Sequence, residues 1–362
     1  MPQDDVAVFP TETGLPEPTI PRQRGPFIKS LHISLAAGSL GLLFATFLPL
    51  LHPYWPLADI AEHFALQILM AAVLLGALAL ALRRWRWLSV IAGIAFIQIW
   101  IIHPYWPVPS KAMALPSDSQ TQLNLISLNV QYYNDSYATV LDYLSNSDAD
   151  VIGLVEVSPA WKQELAALNA QYPFRIDCVS ADNICQEMLL SKYPFQAEGK
   201  GRIQGKLPVL VWGKITPPGN VPPVTIAVTH LSWPFSKIRA DSDDVSLSDR
   251  QLLSTGLPWL LQTKQAIALT DAVNQLEPDL ILMGDFNMAP WSRTQQFLRR
   301  TTGLDSKGDL APSWPNWLPA ALRLPIDHVM TRGNPRLISL AAGPDVGPDH
   351  RPVEAVVAFD AP

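Results

Sequence analysis

Leu280-Ile281-Leu282-Met283-Gly284-Asp285-Phe286-Asn287-Met288-Ala289-Pro290-Trp291 is the stretch on which the reading of this chain turns. Four apolar residues run into Gly-Asp-Phe-Asn, and Ala-Pro-Trp closes the turn. The apolar run reads as a buried strand. Gly284 permits a tight turn or a close approach to a ligand. Asp285 and Asn287 lie two apart, so extended backbone would point both to one side. One is an anion and acceptor; the other offers donors and an acceptor. Ser292 is placed to cap a short helix from Arg293 to Arg300. A bare strand ending in a polar turn would look the same, so the surrounding motifs decide.

Working outward, other strand-like runs end in residues of the same chemistry. Leu123 to Val130 is strand-like and carries Asn129, and Tyr137 to Leu144 reads as a helix. Residues 150–157 form a buried run that delivers Glu156, alone either a charged strand terminus or a metal ligand. Met188 to Pro194 is a short strand with a turn. Val209 to Ile215 and Val224 to Thr229 have strong β character, and the second ends at His230. Residues 249–276 read as a helix that Gly256 and Pro258 must break or kink. Pro325 to Met330 carries Asp327, and residues 347–353 bring Asp349 and His350 into a last strand, Val353 to Phe359. Strands that alternate with helices present such ends along one rim of a sheet. Carboxylates, amides and histidines gathered there suit a phosphate and a hard cation, Mg²⁺ or Mn²⁺ rather than zinc.

The order Asn129, Glu156, Thr229-His230-Leu231, Gly284-Asp285-Phe286-Asn287, Ile326-Asp327-His328 and Asp349-His350 resembles the endonuclease/exonuclease/phosphatase superfamily, the deoxyribonuclease-I-like fold, over residues 120–360. Residues 190–194 and Ser313-Trp314-Pro315 look like further family segments. The resemblance implies a four-layer α/β/β/α sandwich of two β-sheets flanked by helices, and metal-dependent cleavage of phosphoesters. It implies Glu156 as principal metal ligand, with Asn129 nearby and Asp349 in support. Asp285 and Asn287 would orient the attacking water and hold the phosphate, His230 would donate to the phosphate, and Asp327 would orient His350. A histidine held by a carboxylate has a fixed tautomer and a raised pKa. Two positions depart from the family pattern. Gln131 stands where many members have an acid, which puts a second metal site in doubt. Pro348 stands where many have serine, which costs a hydroxyl and an N–H.

The first third of the chain has a different character. The chain is 48% hydrophobic and 16% charged, and the apolar excess precedes residue 103. Residues 1–30 read as a disordered tail, 31–102 as three transmembrane helices, 103–119 as a Pro-rich linker and 120–362 as the catalytic domain. Leu31 to Leu51 is uncharged and would be about 31 Å long as a helix, enough to span a bilayer. Phe64 to Leu82 is a second run. Leu88 to Ile102 is a shorter third, of spanning length only if counted from Trp85; a helix lying in the interface is its alternative. Positive charge sits before the first run and in Arg83-Arg84-Arg86, whereas the connector 52–63 has only Asp59 and Glu62. The positive-inside rule then puts the N-terminus in the cytoplasm and the catalytic domain outside, in the periplasm. His52-Pro53-Tyr54-Trp55-Pro56 recurs as residues 103–107, each copy after an apolar run, as aromatic belts on one face would be. The chain's two cysteines, Cys178 and Cys185, are an even pair at loop spacing; an oxidising compartment permits a disulfide, and two free thiols are the other reading.

Together these features describe a membrane-anchored, outward-facing, metal-dependent phosphoesterase. A non-catalytic membrane-bound interaction domain that kept the fold is the alternative, against which the complete set of acid, amide and histidine positions counts. The substrate is a nucleic acid or a lipid headgroup. After residue 109 there are 20 Lys+Arg and 26 Asp+Glu, a poor track for a long polyanion. Trp233, Trp291, Trp314 and Trp317 lie beside the motifs, where they could stack on a base, a sugar or an acyl boundary. No protein partner is inferable. Reporter fusions after residue 115 should score as extracytoplasmic; a cytoplasmic signal there would overturn the three-span topology.

Overall fold

The computed structural model of the chain describes residues 26–51, 56–105, 121–179, 185–203, 206–233, 258–306 and 310–359. Most of the expected tail, linker residues 106–119, residues 52–55, 106 and 107 of the paired pentapeptides, and residues 249–257 of the expected helix lie outside these segments.

Two β-sheets pack face to face. The first has six strands among the described residues, in the order β10 (Arg336–Ala342), β11 (Val353–Ala358), β1 (Gln122–Asn129), β2 (Val151–Val155), β4 (Met188–Ser191), β3 (Phe174–Asp177). The second has five, in the order β5 (Ala197–Ile203), β6 (Lys206–Ile215), β7 (Val224–His230), β8 (Leu280–Asp285), β9 (Asp327–Arg332). Each sheet has one parallel pair at its centre, β1 with β2 and β7 with β8. Their strands are apolar on both faces because both faces are covered. Leu123, Leu125, Val151 and Val155 meet Val211, Val228, Ile281 and Met283 between the sheets. On the outer face of the first sheet, Leu128, Ile152 and Leu154 pack against Val140 and Leu144 of one helix (Tyr137–Ser145) and Trp161 of another (Pro159–Glu164). On the other side Leu280 and Leu282 pack against Ala266, Leu269 and Val273 of the helix Pro258–Gln275 and Leu298 of the helix Arg293–Thr302. The layers are α/β/β/α, as the resemblance implied.

Local sequence explains the helix ends. Of the expected helix over 249–276, the described residues form the helix Pro258–Gln275. Arg293–Thr302 starts at Ser292, whose Oγ accepts Gln295 N–H at 3.3 Å, and stops at Gly303 with φ 71°.

The N-terminal region folds as helices α1 (Pro26–Phe47), α2 (Ala65–Ala81) and α3 (Trp85–Ile102), with a single helical turn, Ile60–His63, before α2. Phe27–Leu51 and Trp85–Tyr105 are long and apolar enough to cross a membrane. The third apolar run thus reaches spanning length, whereas α2, with 17 residues and about 25 Å of rise, is the short one. Leu35, Ile68, Ala72, Ile91 and Ile94 pack between the helices. Their outer faces are apolar too: Phe44, Leu74, Phe96 and Trp100 are all exposed. A helix apolar all round belongs in protein or in lipid.

Cys178 and Cys185 are joined in a disulfide with Cα atoms 5.4 Å apart. In the chain-entropy view such a short loop contributes about 2.5 kcal/mol. Gly284 has φ 139°, and a Cβ there would lie 1.9 Å from the Thr229 carbonyl oxygen. Gly284→Ala should therefore destabilise the protein by about 3 kcal/mol through backbone strain and overpacking. Thermal unfolding of the purified full chain checks this; a melting point equal to the parent's would contradict the close strand contact.

Candidate active site

The site forms where the ends of the two parallel pairs meet. In the second sheet His230, Asp285 and Asp327 are neighbours in register, His230 opposite Asp285 and Asp285 opposite Asp327. In the first sheet Asn129 ends β1 and Glu156 follows β2. The Asn129 amide joins the two rims: its Nδ2 donates to Glu156 Oε1 at 2.9 Å and to Asp285 Oδ2 at 3.0 Å. Tyr132 N–H donates to the other Glu156 oxygen at 3.0 Å. The Asp285 carboxylate is the meeting point, with Oδ2 also 3.7 Å from His230 Nε2 and 3.6 Å from His350 Nε2. His350 Nδ1–H donates to Asp327 Oδ2 at 2.8 Å.

Asp285 and Asn287 come together, but not by extended backbone. Asn287 has φ 51°, so the chain turns back and its own N–H donates to Asp285 Oδ1 at 2.8 Å. Its side-chain Nδ2 donates to Leu231 O at 2.8 Å and lies 3.3 Å from His230 Nε2. Glu156 (φ 59°) and Gln131 (φ 57°) are also left-handed. Left-handed residues other than glycine are uncommon, and three line this one cleft.

Burial and charge set the proton affinities. Burial raises the Asp285 carboxyl and the Asp327 charge adds to this, against the two histidines and the Asn287 N–H. Burial alone would lower the His350 imidazolium, yet the Asp327 and Asp285 carboxylates outweigh it and hold the ring well above the usual histidine value. Burial would raise Glu156, but the His230 charge, the Asn129 amide and the Tyr132 N–H keep it below the ordinary carboxylate value.

Glu156, His230 and Asp285 have candidate ligand atoms within 4.8 Å of one another, and so do Asp285, Asp327 and His350. Asp349 belongs to neither group. It lies at the edge, where its carboxylate accepts Trp314 Nε1–H at 3.3 Å and its N–H donates to Gln131 Oε1 at 3.2 Å. Gln131 also donates its N–H to Asn129 Oδ1 at 2.9 Å, so it ties the two loops together. Pro348 keeps a use for its carbonyl, which accepts Asn316 Nδ2–H. Trp233 and Trp314 are at the cleft, their rings 5.0 Å apart and Trp314 6.4 Å from the His350 ring. Trp291 is not. It is buried, 2% exposed, and its Nε1 donates to the Glu62 carbonyl at 2.7 Å on the far side of the turn, against the N-terminal helices. A large aromatic next to a motif packs there because an apolar surface is available to receive it.

Sequence reading missed several supporting residues. Asn316 holds the Asp349–His350 loop, its N–H donating to Asp349 O at 2.7 Å. Gln262 donates to Asn287 O at 3.0 Å, and Gln265 Oε1 accepts Ser232 N–H at 2.8 Å. Two glutamines three apart on one buried helix face were the available signal. Glu187, buried beside the disulfide, is pushed up to about 7 by burial.

The sequence profile of the Endonuclease/Exonuclease/phosphatase family matches residues 126–354, and the chain belongs to that family, whose members hydrolyse phosphoester bonds. No curated protein matches it in sequence. Similar solved structures include a conserved protein of unknown function from Enterococcus faecalis V583, 16% identical over 66% of this chain and 100% of that one, TM-score 0.51. Family proteins from Bacteroides thetaiotaomicron (15% identical, 67% and 99% covered, TM-score 0.51) and Bacteroides vulgatus (15%, 66% and 100%, TM-score 0.51) share the same fold.

The His350–Asp327 pair yields a prediction with a definite sign. Asp327→Asn removes the anion that raises His350, so the ring should release its proton at lower pH. The alkaline limb of the kcat–pH profile should move toward neutrality; a profile superimposable on the parent's would contradict the pairing.

Proposed function

We propose that this chain is a metal-dependent phosphoesterase, anchored in a membrane by its N-terminal helices with the cleft on the extracytoplasmic side. The observation that carries the reading is the buried His350–Asp327 pair aimed at Asp285, with Glu156 across the cleft. The residues fit a hard cation. Glu156 presents a half-buried carboxylate whose proton affinity is lowered, beside Asp285 in an oxygen-rich cleft. Glu156 would be the main ligand, with Asn129 and Asp349 in support; ligation by Asn129 through Oδ1 would require its amide to turn over, since that oxygen here takes the Gln131 N–H. A bound Mg²⁺ or Mn²⁺ would supply charge to the non-bridging phosphate oxygens and lower the pKa of water.

The chain's own groups supply the rest. Asp285, raised in proton affinity, takes the proton of the attacking water. Asn287 and His230 donate to the phosphate. His350, held protonated by Asp327, stabilises the charge that develops on phosphorus-bound oxygen. Trp233 and Trp314 offer a stacking wall beside His350 for a base or a lipid headgroup. The disulfide supports an oxidising compartment, and the helices with apolar outer faces support anchoring.

Glu156→Gln should weaken Mg²⁺ binding and regain part of its activity in excess Mg²⁺. His350→Ala should lose about 100- to 10,000-fold in kcat with no rescue by metal. The measurement is hydrolysis of bis(p-nitrophenyl) phosphate, an oligonucleotide and a phospholipid by the full chain in detergent, over a Mg²⁺ and Mn²⁺ titration. Parental rates in both variants, on a substrate the parent cleaves, would refute the assignment.

A further inference from the structure

The N-terminal helices do more than precede the catalytic domain. The turn before α2 grips the loop that follows Asp285 and Asn287. Glu62 reaches it at three points: its carbonyl accepts Trp291 Nε1–H at 2.7 Å, Oε2 accepts the Arg293 backbone N–H at 3.0 Å, and Oε1 accepts Arg293 Nε–H at 2.7 Å. Arg293 is the first residue of its helix. The Glu62 carboxylate therefore satisfies an N–H that the helix itself leaves unpaired, and it places an anion at the positive end of that helix. His63 is buried, and its ring Nδ1 lies 3.3 Å from the Asp59 carbonyl oxygen.

Apolar contacts surround these polar ones. Ala65 and Leu69 of α2, Ile102 at the end of α3, and Tyr105 pack with Ala289 and Trp291. Tyr105 and Trp291 meet edge to face with ring centres 6.1 Å apart, and the Arg299 guanidinium lies over the Tyr105 ring at 5.4 Å. The segment from Asn287 to Arg293 is thus clamped between β8 and the N-terminal helices, and Asn287 stands in it with a left-handed backbone, which asparagine tolerates better than most residues.

We infer that Glu62 is a positioning residue of the active site: through it the helical unit holds the 286–293 turn in the geometry that aims Asn287, and through its N–H Asp285, into the cleft. The inference rests on the reading of that cleft as a phosphoesterase site. Glu62 acts on the turn from outside the cleft, so its loss should lower kcat more than it raises KM and leave the Mg²⁺ dependence unchanged. A displaced reacting group costs rate even when binding survives.

The test uses the full chain in phosphatidylcholine/phosphatidylglycerol nanodiscs. Glu62→Ala, Arg293→Ala, the double variant and the charge-exchanged pair E62R/R293E are compared by hydrogen exchange and by hydrolysis of bis(p-nitrophenyl) phosphate. The expected result is exchange raised about tenfold in peptides covering 286–296 and unchanged in β1 and β2, with kcat lowered about tenfold in each single variant. The double variant should be no worse than Glu62→Ala, which already removes both carboxylate bonds to Arg293. The charge exchange should restore part of both signals. Unchanged exchange over 286–296 in both single variants would overturn the inference. So would raised exchange with parental kcat, which would make the contact purely structural. A parent that cleaves no phosphodiester defeats the phosphoesterase reading instead, and the exchange data alone then decide whether the helices hold the turn. Glu62→Gln, which keeps an acceptor oxygen for the Arg293 N–H, should fall between parent and Glu62→Ala.

Discussion

The Asn129 side chain bridges two β-sheets at the one place where their ends have to agree. Its amide nitrogen donates to Glu156 from its own sheet and to Asp285 from the other. Everything else in the cleft is referred to that contact. Asp285 fixes the register of His230 and Asp327 across three neighbouring strands. Asp327 in turn fixes His350. Two layers whose large mutual face is apolar could slide with little loss of burial, because the hydrophobic effect is not directional. Directional bonds at the rim remove that freedom. The core holds the sheets together, and Asn129 sets where they stop.

The rim has a cost in backbone energy. Gln131, Glu156 and Asn287 all take left-handed conformations, each at about 1–3 kcal/mol for a residue with a side chain. Each is compensated locally. Gln131 gives its N–H to Asn129 and accepts from Asp349, Glu156 receives the Tyr132 N–H, and Asn287 closes on Asp285. The strained turns are therefore cross-braced by the same side chains that make up the site. A substitution that removes one brace leaves a neighbour strained as well as unpaired.

What was legible in the sequence follows burial. The central strands β1, β2, β7, β8 and β11 are apolar runs with polar ends, so both strands and site residues could be read from them. β3, β5 and β10 went unread, and all three are sheet edges. Ala-Glu-Gly-Lys-Gly-Arg-Ile of β5 shows why: an edge strand is half solvated and carries charge and glycine, so no apolar run announces it. The chemistry-bearing residues were legible because few other residue types serve at such positions. The residues that hold them were not. Asn316, Gln262 and Gln265 are ordinary amides whose worth depends on a loop brought close in space. Trp291 was read as a cleft residue because its neighbours in sequence are, yet its partner, Glu62, lies 229 residues away. The division of the chain at residues 103–119 marks a change of composition, and contacts cross it freely.

That separation has a consequence for how the protein is made. The helices leave the ribosome first, and the turn they receive is synthesised some two hundred residues later. The receiving surface is therefore complete before its occupant exists. His350 comes later still, near the end of the chain. The cleft closes last, once the final strands are in place, so a polypeptide still under synthesis can have its helices seated and its first sheet begun while the chemistry of the cleft is absent.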